Sequence, residues 1–153
     1  MNKEFLIELV NVFTPLLLGG IGIIITLLFN NANKKLNHQK MEKELFKEYN
    51  ERYDKLNEDL KTITTNMNIE ELKASYTKKD IDRNLCDVLI DYFNLCAEEY
   101  YWRSKKRISD EIWNSWHAGM MYYYNNYEVV RQLWDEECLN VGYKSYYLKS
   151  KKS

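Results

Sequence analysis

The chain has 153 residues, 22 basic against 23 acidic side chains, a net charge of −1 and 29% charged residues. So even a balance gives no support to a nucleic-acid-binding domain, which would usually be basic. Three cysteines (Cys86, Cys96, Cys138), an odd number without Cys-x-x-Cys spacing, read as free thiols of a reducing compartment and not as a disulfide framework.

The first predicted element is apolar. Leu9 to Asn33 contains no charged residue, and its core, Leu9 to Phe29, is rich in Leu, Ile, Val and Phe. About 21 residues rise about 31 Å as a helix, close to the hydrocarbon thickness of a bilayer. A buried core helix rarely runs so long without a charge. A cleaved signal peptide should open with a positive flank and end on paired small residues. Here Lys3 is outnumbered by Glu4 and Glu8, and Ala32 stands among asparagines. The reading is a retained transmembrane helix over residues 1–33, with Pro15 in its early turns, where proline costs few internal hydrogen bonds.

Lys34, Lys35, Lys40 and Lys43 follow the span, whereas Lys3 alone precedes it. By the positive-inside rule the N-terminus lies outside and residues 34–153 lie in the cytoplasm of a cell whose inner membrane the chain crosses once. The span also has a polar seam. Glu8, Asn11, Pro15, Gly19, Gly22, Thr26, Asn30 and Asn33 recur at alternating intervals of three and four, which places them near one helical face. Small residues admit a second helix backbone, so Asn11, Gly19, Gly22 and Thr26 are a candidate interface for a homo-oligomer. An ordinary anchor would carry such residues too.

Residues 34–142 suffice for one small domain. Proline is absent there and Gly119 and Gly142 are its only glycines, which favours helices. Phe46, Tyr49, Tyr53, Leu56, Leu60 and Ile63 form one helical face, supported by Glu48–Arg52 and Glu51–Lys55 pairs. Asn68 and Glu71 have the spacing of a capping box that opens a short helix. Ile81, Leu85, Val88, Leu89, Tyr92, Phe93 and Cys96 form a broader apolar face, suited to a central helix with two neighbours. Ser109, Asp110 and Glu111 open a last long helix through Trp113, Trp116, Met120, Tyr123, Tyr127, Val130 and Trp134, with Asn125-Asn126 as a place to kink or split it. The expected fold is all-α: the transmembrane helix, then a small antiparallel bundle of three long helices and one short one, then a basic aromatic tail over 143–153.

The order of these features resembles a family of short, uncharacterised, single-pass bacterial membrane proteins with a helical cytosolic domain. The resemblance rests on the anchor, the asparagine-rich exit, Asp91-Tyr92-Phe93-Asn94-Leu95-Cys96, the turn before Ile108, Trp113 to Trp116, and Val130-Arg131 with Trp134. It implies fold and topology and no activity. Lys105-Lys106 departs from it, since a small residue such as glycine is more usual in that turn.

No catalytic motif is visible. His38 and His117 are the only histidines, no Cys or Asp cluster has zinc spacing, and no phosphate loop or nucleophile elbow occurs. His117 reads as a structural histidine on an aromatic face. A Cys–His pair of Cys86 or Cys96 with His117 is the alternative, weakened because both cysteines fall on or near an apolar face. The acidic residues of the first cytoplasmic helix read as a solvated face. No cofactor or metal is implied. Two basic groups, Arg103, Lys105, Lys106, Arg107 and Lys144, Lys149, Lys151, Lys152, are candidates for contact with the membrane surface or a partner, and the second is interleaved with tyrosines. Among 13 Tyr and 4 Trp, Tyr101, Trp102 and Tyr122 are candidates for a partner surface. The expected function is a non-enzymatic, membrane-tethered interaction module that binds the bilayer, itself or a cytoplasmic protein. The alternatives are an oligomeric membrane-perturbing or channel-like effector, and a hydrolase or transferase with a dispersed site near His117.

Overall fold

A computed structural model describes residues 2–140, so the tail over 143–153, with Lys144, Lys149, Lys151 and Lys152, lies outside the described residues. The described chain is all-helical, with helices α1 (Lys3–Leu60), α2 (Ile69–Ala74), α3 (Leu85–Ser104), α4 (Asp110–Asn126) and α5 (Glu128–Asn140). Tyr76 and Asn84 form one isolated antiparallel bridge. The chain divides into two compact units, Met1–Met41 and Glu42–Ser153.

The first unit is the N-terminal part of α1. It contains an 18-residue stretch long and apolar enough to cross a membrane, none of it buried among the described residues. Leu16, Leu17, Leu18, Ile23, Ile24, Ile25 and Phe29 all stand exposed. Pro15 lies inside α1 without ending it. Because α1 begins at Lys3, Pro15 lies well inside the helix and not in its first turn, so Asn11 O loses the intrahelical donor it would otherwise have.

In the second unit, α3 contacts α2, α4 and α5, and α4 contacts α5. The core gathers Leu60, Leu72, Val88, Leu89, Phe93, Met120, Val130 and Trp134, with Tyr53 and Leu56 of α1 packed against it. The capping box at Asn68 forms as its spacing requires: Asn68 Oδ1 accepts from the Glu71 backbone at 2.9 Å and Glu71 Oε2 accepts from the Asn68 backbone at 3.0 Å.

Three expectations about elements are corrected. The central helix does not begin at Ile81, which is 81% exposed. A second capping box, Asn84 with Asp87, opens it at Leu85, and the Thr77 hydroxyl, hydrogen-bonded to Asp80, turns the chain before it. The last helix is two. α4 stops at Asn126, Tyr127 is extended (φ −120°, ψ 106°), and α5 starts anew at Glu128, so two helices stand where one long one was expected, with the break beside the Asn125-Asn126 pair. Third, Ser109 occupies the N-cap of α4 without capping it through its side chain; its backbone N–H donates to a Glu42 carboxylate oxygen.

The turn after α3 has an unusual residue. Lys106 has φ 56°, in the left-handed region that favours glycine. The Arg107 N–H bonds Trp102 O at 3.0 Å and the Lys106 N–H bonds Arg103 O at 2.9 Å. This is the Schellman arrangement that satisfies carbonyls left over at a helix end, and glycine usually stands at its left-handed position.

Candidate functional site: an acid-lined cavity between α1, α3 and α4

A cavity of about 180 Å³ opens among three helices of the second unit. Asn50 and Tyr53 line it from α1, Tyr92, Cys96 and Glu99 from α3, and Ser115, Trp116, Gly119 and Met120 from α4. The α3 residues stand at i, i+4 and i+7, and Asn50 and Tyr53 at i and i+3, so each helix offers one face. Aromatic walls come from Tyr53 and Tyr92, whose rings lie 6.2 Å apart, and from Trp116, which stacks on Phe46 at 6.0 Å and meets Tyr49 edge-on at 5.6 Å. Gly119 leaves space, since a Cβ there would meet nothing within 4 Å.

Glu99 is the chemical centre of this cavity. Its side chain is only 5% exposed, and no described residue donates a hydrogen bond to its carboxyl group. Every side-chain polar atom sealed inside the described structure has a partner, so the Glu99 oxygens face the cavity space. Burial raises its pKa from 4.5 to about 8, with Arg52 pulling the value down and Glu98 pushing it up. Desolvation disfavours the charged form of an acid, so Glu99 holds its proton at neutral pH.

Its neighbour behaves oppositely. Glu98 faces Arg52, whose Nη1 and Nη2 donate to its two oxygens at 2.6 and 2.9 Å. That fork holds the Glu98 carboxyl below its ordinary pKa. The Tyr49 hydroxyl donates to Glu98 at 3.5 Å, and the Arg52 guanidinium lies 5.4 Å from the Tyr49 ring centre. Burial and the Glu98 charge raise the Tyr49 pKa. Two adjacent carboxyls thus occupy different states: Glu98 charged and paired with Arg52, Glu99 neutral, buried and without a hydrogen-bond partner among the described residues. Such a pair marks a site able to hold or release one proton.

The residues singled out by sequence do not assemble here. Asn11, Gly19, Gly22 and Thr26 are exposed on α1, and a Cβ added at Gly19 or Gly22 meets nothing within 4 Å. The Thr26 hydroxyl donates back to Gly22 O at 2.8 Å, which leaves its oxygen only an accepting role toward another helix. Arg103 pairs with Asp110, and Lys105 lies over the Tyr101 ring at 5.3 Å, so of that basic group Lys106 and Arg107 complete the turn. Lys149, Lys151 and Lys152 lie outside the described residues. His117 stacks on Trp113 at 5.3 Å and does not line the cavity, and Cys86 is half-buried with a thiol that burial pushes up. Tyr101 and Tyr122 are exposed, whereas Trp102 and Trp116 are half-buried. Among the described residues no three His, Cys, Asp or Glu side chains come together as a metal site.

Sequence reading missed Glu99, although a signal was present. The apolar series Leu85, Val88, Tyr92, Cys96 reaches Glu99 at its next step, which puts a carboxyl on the inward face. Comparison with family models, curated proteins and solved structures finds no match to this chain.

Proposed function

We propose that this is a single-pass protein of a bacterial inner membrane, of the family type its sequence resembles. Its helical part, antiparallel in arrangement, lies in the cytoplasm and binds itself or another protein there without catalysing a reaction. One observation carries the reading: the apolar stretch of α1 is long enough to span a bilayer and none of it is buried among the described residues. Seventeen large apolar side chains stand exposed between Phe5 and Phe29, an aggregation liability in water that hydrocarbon would relieve. Lys34, Lys35, Lys40 and Lys43 support the orientation. Exposed Tyr101 and Tyr122 support a protein partner.

A channel-like or membrane-perturbing oligomer is the second reading, favoured by the open space over Gly19, Gly20 and Gly22. Both readings share a topology, and fusion tests it. A reporter active only in the cytoplasm, joined after Ser153, is expected to work and a periplasmic reporter to fail. The reverse pattern would refute the orientation.

A further inference from the structure

We propose that the cavity between α1, α3 and α4 is a binding site for a small organic amine, held with its ammonium group against Glu99 and its body against Tyr53, Tyr92 and Trp116. The proposal goes beyond the tethering reading and does not depend on it.

Size comes first. A cavity of about 180 Å³ is slightly larger than the engineered apolar cavity of about 150 Å³ that admits benzene. It therefore suits a body of one ring or a short chain. An apolar cavity alone would select nothing, but this one contains a carboxyl group 5% exposed and without a hydrogen-bond donor among the described residues. Because the Glu99 oxygens open onto the cavity, a ligand donor can reach them without displacing a partner among the described residues. An ammonium donates up to three hydrogen bonds, and Asn50 and Ser115 on the facing helices offer further oxygen acceptors.

The walls agree with a cation. Tyrosine and tryptophan faces attract a desolvated ammonium through their quadrupoles, which is how aromatic cages take amines. The resident cation, Arg52, is already committed to Glu98 through two hydrogen bonds and leaves Glu99 unserved. A neutral ligand would gain the aromatic contacts but leave the acid as it is. An anion would meet Glu99 with no basic side chain lining the cavity.

Binding must move a proton. Burial keeps Glu99 protonated at neutral pH, its pKa near 8. An ammonium stabilises the carboxylate, so its arrival expels that proton to solvent; a neutral amine instead takes the proton from Glu99 and yields the same ion pair. The charged or titratable groups around Glu99 are Tyr53 and Arg52 from α1 and Tyr92, Cys96 and Glu98 from α3, while α4 contributes only Ser115, Trp116, Gly119 and Met120. Of these, Glu99 is the group expected to titrate between pH 6 and 8. Affinity for an ammonium therefore rises on the order of 50-fold from pH 6 to pH 8.

The test is calorimetric titration of the full-length protein in a neutral detergent with phenethylammonium, and with 2-phenylethanol as its neutral twin, in phosphate and in the zwitterionic sulfonate HEPES, two buffers of different ionisation enthalpy. We expect phenethylammonium to bind, to release close to one proton at pH 7, and to bind more tightly at pH 8 than at pH 6. Glu99→Gln should lose at least tenfold in affinity and the proton release together. Gly119→Leu, which puts a side chain where the cavity is open, should lose binding with the Glu99 acid intact. Both variants also subtract any uptake of the probe by detergent. Equal binding of 2-phenylethanol, binding undiminished in Glu99→Gln, or no binding of phenethylammonium by the wild type at millimolar concentration would each overturn the proposal.

Discussion

The buried acid makes the protein's stability fall as pH rises, and Glu99→Gln should abolish that fall. Glu99 titrates near its ordinary value of 4.5 in the unfolded chain and near 8 in the folded one. Below the lower value both states are protonated and the group costs nothing differential. Between the two the folded state keeps a proton that the unfolded state has lost, so unfolding grows easier by about 1.4 kcal/mol per pH unit. Above the upper value the penalty is complete, at about 4–5 kcal/mol. That is a large part of the stability expected of a domain this size. Glutamine keeps the shape and cannot ionise. The variant should match wild type within about 1 kcal/mol at pH 4 and exceed it by several at pH 8.5. Urea unfolding of the full-length protein in detergent, followed by tryptophan fluorescence, reads the relevant unit, because Trp102, Trp113, Trp116 and Trp134 all lie in it. Other groups also titrate over this range, and the difference between the two proteins isolates Glu99. Parallel curves from pH 5 to 8.5 would refute the argument, since they would mean that the carboxyl ionises in the folded state as readily as in the unfolded one.

Other substitutions test other parts. Lys106→Gly should stabilise the second unit by about 1 kcal/mol, because glycine takes the left-handed backbone of the Schellman turn without the Cβ penalty; a lower melting temperature would refute that. Trp134→Ala should cost about 3–5 kcal/mol, since the ring is buried edge-on to Phe93 at 5.0 Å. His117→Gln should cost at most about 1–2 kcal/mol, and a His117→Gln protein that melts normally but loses its cellular phenotype would move catalysis near His117 to the front. Within the span, Gly19→Leu and Gly22→Leu should lower dimer cross-linking in native membranes while Ile21→Leu should not; equal yields would leave a plain anchor.

What the sequence made legible follows from what is periodic or local. An uncharged run of membrane length needs no tertiary information, and neither does the Asn68–Glu71 box, whose two hydrogen bonds join residues three apart. The apolar faces through Tyr49, Leu60, Val88 and Met120 fall in the core because helical spacing alone puts them on one side. Errors arose where a local device competed with the pattern. Ile81 fits the apolar series of α3, yet the Asn84–Asp87 box starts the helix four residues later and leaves the isoleucine outside. Tyr127 fits the series of the last helix and is the residue at which the chain turns. Trp116 has core spacing but is only half-buried, because the space beside it is the cavity.

The cavity itself was illegible for a deeper reason. It is a gap between three helices, and a gap depends on which faces meet and how tightly, which no single helix encodes. Its walls read as ordinary core: Tyr53, Tyr92 and Met120 occupy positions that periodicity assigns to packing. Only Glu99 breaks the rule, a charged residue type at an apolar station. A close-packed core normally punishes such a residue, either by burying a charge or by stranding a polar group. Here the two glutamates divide the work. Glu98 takes the arginine, and Glu99, one residue and about 100° further round the helix, is carried inward with no hydrogen-bond partner among the described residues. A lone acid without a cavity would be a defect and a cavity without the acid a packing flaw, whereas here the carboxyl and the open space stand on the same inward face of α3.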